Sequence, residues 1–224
     1  IFKKPLFWDL KKPNFISNIL YPLTIVIRIN NFFLNLKNKN KREKIKTICV
    51  GNIYIGGTGK TPTTIKLYEI LKEHGSNVST AKKFYKSQFD EKTILEKKSN
   101  LILGNNRKEI INKAIAEKKD FLIFDDGLQD KKVNYDLQFV CFDSKKWIGN
   151  GRLIPAGPLR EDLRSLKKYD GVFLKNENED HFQIVDLIKS VNPKIEIFIT
   201  KYKPKNLNQF KTDDNFLIFS GIGN

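Results

Sequence analysis

The chain has no methionine, and its 224 residues include only two cysteines, two histidines and two tryptophans. Cys49 and Cys141 each lie inside an apolar run, so they read as small buried thiols and a disulfide scaffold is excluded. His74 and His181 stand apart with no Cys/His spacing around them, which excludes a zinc cluster. Any metal must then be held by carboxylate and phosphate oxygens, and that donor set favours magnesium. The longest charge-free apolar stretch, Pro13 to Ile27, is 15 residues, short of the roughly 18 a spanning helix needs. A cleaved signal peptide is excluded as well, because no small-residue cleavage site follows that stretch and the basic run comes after it. No internal repeat is present. The start at Ile1 and the lack of methionine read as a piece of a longer reading frame.

What is present is enough apolar material for a core: 40% hydrophobic residues, 12% aromatic and 29% charged. Disorder and rod-like coiled coils are ruled out. The formal charge of +16 accompanies lysine, isoleucine and asparagine throughout the chain, a general compositional bias, and no nucleic-acid partner is expected. Residues 1–46 carry 11 Lys/Arg against Asp9 and Glu43, a net +9 that leaves +7 for the other 178. The division expected is a basic amphipathic segment over 1–44 and one domain over 45–224.

Within that first segment Asn14, Ser17, Tyr21, Thr24, Arg28, Asn31 and Asn35 recur at steps of three or four, one polar stripe down an otherwise apolar helix. Pro22 is expected to kink it. Lysines flank it at 3, 4, 11 and 12 and again from 37 to 46, with Phe7 and Trp8 at its boundary. This pattern suits the surface of an anionic membrane; the alternative is packing on the domain core.

Ile45 to Val50 reads as a buried strand and runs into Gly51-Asn-Ile-Tyr-Ile-Gly-Gly-Thr-Gly-Lys-Thr-Pro62. Ile65, Leu67, Tyr68, Ile70 and Leu71 then recur at helical spacing as far as Gly75. Strand, glycine-rich turn and helix are the setting of a phosphate-binding loop over Tyr54, Ile55, Gly56, Gly57, Thr58, Gly59, Lys60 and Thr61. Backbone amides would curl around ATP phosphates, Lys60 would reach the β/γ-phosphates, and the Thr61 hydroxyl would ligate Mg2+. Tyr54 stands where the usual pattern has its first glycine. A second apolar run, Phe121-Leu-Ile-Phe, ends in Asp125 and Asp126, the acids expected to hold the metal and orient the reaction.

The remaining short apolar runs are 78–81, 101–103, 137–142, 171–174, 195–200 and 216–219, interleaved with helical patterns near 108–118, 161–168 and 182–191. They predict an α/β fold of the P-loop NTPase kind: a mostly parallel sheet covered by helices on both faces, preceded by the amphipathic, membrane-associated helix. The polar stretch 82–100 reads as the most loop-like part of the interior. Gly149 to Glu161, with three glycines and two prolines, reads as a rigid loop in which Asn150, Arg152 and Arg160, with Arg164 one turn later, would grip an anionic acceptor or phosphates.

Val50-Gly-Asn, Gly56-Gly-Thr-Gly-Lys-Thr-Pro62, Asp125-Asp-Gly-Leu-Gln129, Gly149 to Glu161 and Ser220-Gly-Ile-Gly223 together resemble the tetraacyldisaccharide 4'-kinases. The resemblance implies magnesium-dependent transfer of the ATP γ-phosphoryl group to an acylated glucosamine disaccharide phosphate, the lipid A precursor. It implies a peripheral place on the cytoplasmic face of the inner membrane, and a monomer is expected. Phe89-Asp-Glu91 resembles the family's Gly-Asp-Glu stretch, which makes Asp90 the candidate base. The sequence departs from the family at Lys83-Phe-Tyr85 (for Arg-Gly-Tyr), at Phe89, at Asp130 (for histidine), and in stopping at Asn224 where the family continues. The competing readings are a membrane switch ATPase, whose loop would carry a lysine where Ile55 stands, and a non-enzymatic basic coat protein.

Overall fold

The computed structural model describes residues 4–36, 43–84, 89–130, 132–177 and 181–203. The elements are α1 (Phe15–Leu20), α2 (Thr24–Leu36), β1 (Lys46–Gly51), α3 (Lys60–Glu73), β2 (Val78–Lys83), α4 (Phe89–Lys98), β3 (Leu101–Gly104), α5 (Arg107–Ala116), β4 (Phe121–Asp125), β5 (Leu137–Asp143), β6 (Gly171–Lys175), α6 (Phe182–Val191) and β7 (Glu196–Thr200). All seven strands are parallel, in the order β3-β2-β4-β1-β5-β6-β7. The expected apolar run at 216–219 lies outside the described residues.

Parallel strands buried on both faces alternate between two cores. On one face Ile48, Val50, Ile123 and Cys141 pack with Tyr68 of α3. On the other Cys49, Leu122, Phe124, Val140 and Phe142 pack with Ile110 and Ile111 of α5, Leu166 and Ile188. Neighbouring residues of one strand therefore serve opposite helical layers, which is why these runs show no polar alternation in the sequence. β1 and β4 lie side by side, with Val50 in register with Asp125, so the phosphate loop and the strand-end acids leave the sheet at one edge.

Two expectations change. Residues 89–98 within the stretch read as loop form α4. Among the described side chains of this helix Leu95 alone is fully buried, so no apolar stripe betrays it; acids in the first turn, lysines in the last and a Lys92–Glu96 ion pair at 3.3 Å support it instead. The helical pattern at 161–168 is a 3-10 turn over Leu163–Lys168, begun by Asp162 accepting from the Arg164 amide.

The amino-terminal helix breaks where Pro22 predicts, with a 3-10 turn over Tyr21–Leu23. Its polar stripe faces the body: Ser17 and Thr24 are buried, Ser17 Oγ donates to Ala156 O at 2.6 Å, and Asn31 Nδ2 donates to Arg160 O at 3.0 Å. Its apolar side faces outward, with Phe15, Ile19, Val26, Ile29, Phe32 and Phe33 exposed. The inversion has a local cause. The Pro/Gly-rich loop presents carbonyls that no ladder satisfies, and polar side chains are what meet them. No described helix is long and apolar enough to cross a membrane.

Candidate active site

The phosphate loop is shaped by backbone geometry that only glycine tolerates easily. Gly59 caps α3 at φ 83°, a left-handed turn that brings the amides of Lys60 and Thr61 into the first turn of the helix. Pro62 follows in that same first turn, where its missing N–H costs nothing. Asn52 Nδ2 donates to Gly56 O at 3.1 Å and braces the loop from inside.

Tyr54 does not face the loop's cavity. Its ring is fully buried, its hydroxyl hydrogen-bonds Asp9 and Lys4, and its backbone pairs with Leu159. Ile55 N–H donates to Pro158 O at 2.9 Å, and Arg160 N–H donates to Ile53 O at 2.7 Å. The first half of the loop is thus stitched to residues 158–160, which holds its shape where the usual pattern has a glycine.

Lys60, largely buried, has its Nζ 3.9 Å from Asp126 Oδ2. Thr61 Oγ1 donates to Asp125 Oδ2 at 3.1 Å. The structure therefore gathers Lys60, Thr61, Asp125 and Asp126 into one cluster, as the sequence predicts. Asp126 adopts a left-handed φ of 63°, and its own N–H donates to Val50 O at 2.8 Å. The turn carries its carboxylate away from the sheet and toward the lysine. Burial raises the Asp125 carboxyl above the ordinary carboxylate range, and the Lys82 ammonium at 2.7 Å pulls it back. Burial by itself would lower Lys82, yet the Asp125 and Glu91 carboxylates hold it above the usual lysine value.

The candidate metal ligands here are all oxygens, and no described group of three or more His, Cys, Asp or Glu residues is arranged to hold a metal. The buried Asn52 Oδ1, Thr58 Oγ1 and Asp126 Oδ1 have no hydrogen-bond partner among the described residues. A hydroxyl, two carboxylates and unsatisfied buried oxygens fit a hard cation completed by phosphate and water.

Arg160 joins the loop after β5 to this cluster: its Nη1 lies 3.2 Å from Gln129 Oε1 and 3.5 Å from Asp126 Oδ1. Asn150 and Arg152 are placed differently. The buried Asn150 donates to Ala156 O at 2.9 Å and accepts from the Arg152 amide, while Arg152 Nη1 donates to Ser17 O at 2.9 Å with its guanidinium 4.6 Å from the Tyr21 ring. Both contact Ser17 of α1, Asn150 with Nδ2 3.3 Å from Ser17 Oγ. Gly149 makes the same junction possible, since a Cβ there would sit 2.2 Å from Trp8 O. Asp90 is exposed in the first turn of α4, beside Glu91.

Sequence reasoning missed Lys82, Arg107 and the bracing role of Gln129. Arg107, buried at the start of α5, donates to Asp126 O at 2.9 Å and pairs with Asp130, the position where the resembled family has histidine. Gln129 Nε2 donates to Asn52 O at 2.9 Å. Its place directly after the apolar run 78–81 is the one mark of Lys82 that the sequence carries.

With this geometry in place, comparison with known proteins is direct. The family model for tetraacyldisaccharide-1-P 4'-kinase matches residues 16–100 and 85–224. A tetraacyldisaccharide 4'-kinase of Pelagibacter ubique is 48% identical over 224 residues, covering 99% of this chain and 70% of that protein. One from Rickettsia akari is 32% identical over 243 residues, covering 98% and 70%. Among solved structures, LpxK from Aquifex aeolicus in complex with ATP aligns with a TM-score of 0.61 at 19% identity, covering 86% of each chain. The signal recognition particle receptor FtsY from Elizabethkingia anophelis aligns at 0.51 with 14% identity, covering 82% and 70%; these two likenesses show the fold. Matched along nearly its whole length by the family model and by close relatives, the chain belongs to the tetraacyldisaccharide-1-P 4'-kinase family.

Proposed function

We propose that this protein transfers the γ-phosphoryl group of ATP to the 4'-hydroxyl of an acylated, 1-phosphorylated glucosamine disaccharide, the lipid A precursor. The observation that carries this is the Lys60–Thr61–Asp125–Asp126 cluster at the edge of a parallel sheet, in a chain belonging to that family.

The loop amides and Lys60 hold the β- and γ-phosphates, and Thr61 with Asp125 and Asp126 holds Mg2+. Magnesium, when bound, neutralises charge on the phosphates. Arg160 stands beside Asp126 to meet the transferring group. Asp90 takes the acceptor proton as the acceptor oxygen bonds to the γ-phosphorus and the bond to the β-phosphate oxygen breaks, leaving ADP. The chain's contribution is positioning and charge, which suits a loose transition state. Asn150 and Arg152 shape the acceptor side by fixing the amino-terminal helix. That helix, apolar side outward and flanked by lysines, seats the enzyme as a peripheral protein on the cytoplasmic face of the inner membrane. A switch ATPase is disfavoured because Ile55, in place of that class's lysine, is tied to Pro158.

The test is transfer of labelled phosphate from ATP to a 1-phosphorylated acyl-disaccharide in micelles, beside Lys60→Ala. Loss of roughly 10²–10³-fold in rate is expected. A mutant that transfers at the parental rate would sink the reading.

A further inference from the structure

Lys82 is a charged residue in a place where charge is costly. It sits on β2, 3% exposed, with β4 as its neighbour strand. Its Nζ lies 2.7 Å from Asp125 Oδ2 and 2.5 Å from Glu91 Oε2. The same Asp125 oxygen accepts the Thr61 hydroxyl at 3.1 Å. An ammonium therefore rests against the hydroxyl and carboxylate proposed to hold the divalent cation. The two partners differ in kind: the Asp125 side chain is 0% exposed, whereas that of Glu91 is 42% exposed on the first turn of α4. A lysine whose only task was to neutralise Asp125 would have no need of a second, solvent-facing carboxylate.

We propose that Lys82 is a positioning residue that stands in for the divalent cation at Asp125 and is left to Glu91 alone when that cation binds. The physical reason is repulsion. A monovalent and a divalent cation sharing one buried carboxylate repel strongly where solvent screens little, so one must withdraw. Glu91, already 2.5 Å from Nζ, retains the ammonium when its bond to Asp125 is given up. Because Glu91 adjoins Asp90, cation binding draws on the turn of α4 that carries the proposed base. This inference rests on the magnesium-nucleotide site of the proposed function.

The experiment titrates Mg2+ against the protein with a fluorescent ADP analogue and reads the apparent Mg2+ affinity and the thermal midpoint. Parent, Lys82→Met and Glu91→Gln are compared. Lys82→Met removes the competitor, so Mg2+ affinity is expected to rise at least tenfold; the nucleotide-free midpoint falls and magnesium with ADP restores it. Glu91→Gln, altered at a solvent-facing carboxylate, is expected to keep its midpoint and to bind Mg2+ several-fold more weakly. A Lys82→Met protein that loses stability without gaining Mg2+ affinity, or fails to fold while Glu91→Gln binds Mg2+ like the parent, overturns the proposal. If the parent binds ADP with Mg2+ normally, that failure belongs to Lys82 alone. If the parent shows no magnesium-dependent ADP binding, the proposed nucleotide site and this inference both fall.

Discussion

Arg160 Nη1 stands 3.5 Å from Asp126 Oδ1, so the Pro/Gly-rich loop after β5 reaches directly into the cluster that holds the phosphate-loop lysine. The contact joins two segments 34 positions apart in the sequence, and the same guanidinium also meets Gln129.

Replacing Arg160 by alanine should lower kcat/KM for transfer by about 10²-fold, roughly 2.7 kcal/mol of transition-state stabilisation. Arg160→Lys should fall in between, because a point charge cannot span Gln129 and Asp126 as a planar fork does. Steady-state kinetics on both variants decide this; parental kcat/KM in Arg160→Ala would remove the arginine from the reaction.

The outward apolar side of α2 makes a different prediction. Ile29→Glu and Phe32→Glu change side chains already 51% and 60% exposed, so stability should move by no more than about 0.5 kcal/mol. Sedimentation with anionic vesicles should nonetheless drop about tenfold or more, since apolar area inserted at the interface carries the binding. Unchanged sedimentation would mean this side meets something other than lipid.

Alkaline pH supplies a third test. Burial pushes the Cys141 thiol up to about 12 from an ordinary 9.0, and burial likewise raises Tyr135 and Tyr169 above the usual phenol range. In each case the folded chain keeps a proton that the unfolded chain gives up. The Cys141 contribution to stability is whole below pH 9.0 and shrinks as pH climbs toward 12, and those of Tyr135 and Tyr169 shrink as pH rises past their ordinary 10.0. Urea midpoints should therefore fall steadily from pH 8.5 to 10.5, and Cys141→Ala should flatten the slope. A midpoint that rises over this range contradicts the sign.

Much of this was legible before the fold was known, and for physical reasons. The strands announced themselves because a parallel sheet buried on both faces writes unbroken apolar runs, and Gly59-Lys60-Thr61 because few other purposes need that turn after a buried strand. α4 was illegible because charges at its ends support it and, among its described side chains, Leu95 alone is fully buried. The contacts of Asn150 and Arg152 with the amino-terminal segment were not legible, because a loop of glycine, proline and arginine has the same composition whatever segment it faces. Lys82 showed only as a polar residue closing an apolar run; its partners, nine and 43 positions away, are brought to it by α4 and by the β2–β4 pairing.

The junction of Trp8, Ser17 and Asn31 with residues 149–160 also sets an order of events during synthesis. Trp8 Nε1 donates to Pro155 O at 3.0 Å, a contact between positions 147 apart. The amphipathic helix thus leaves the ribosome more than a hundred residues before the carbonyls that its polar side will meet. Through that interval the polar side of the helix has none of the partners it meets in the folded chain, and β6, α6 and β7 are still to be made when residues 149–160 arrive to supply them.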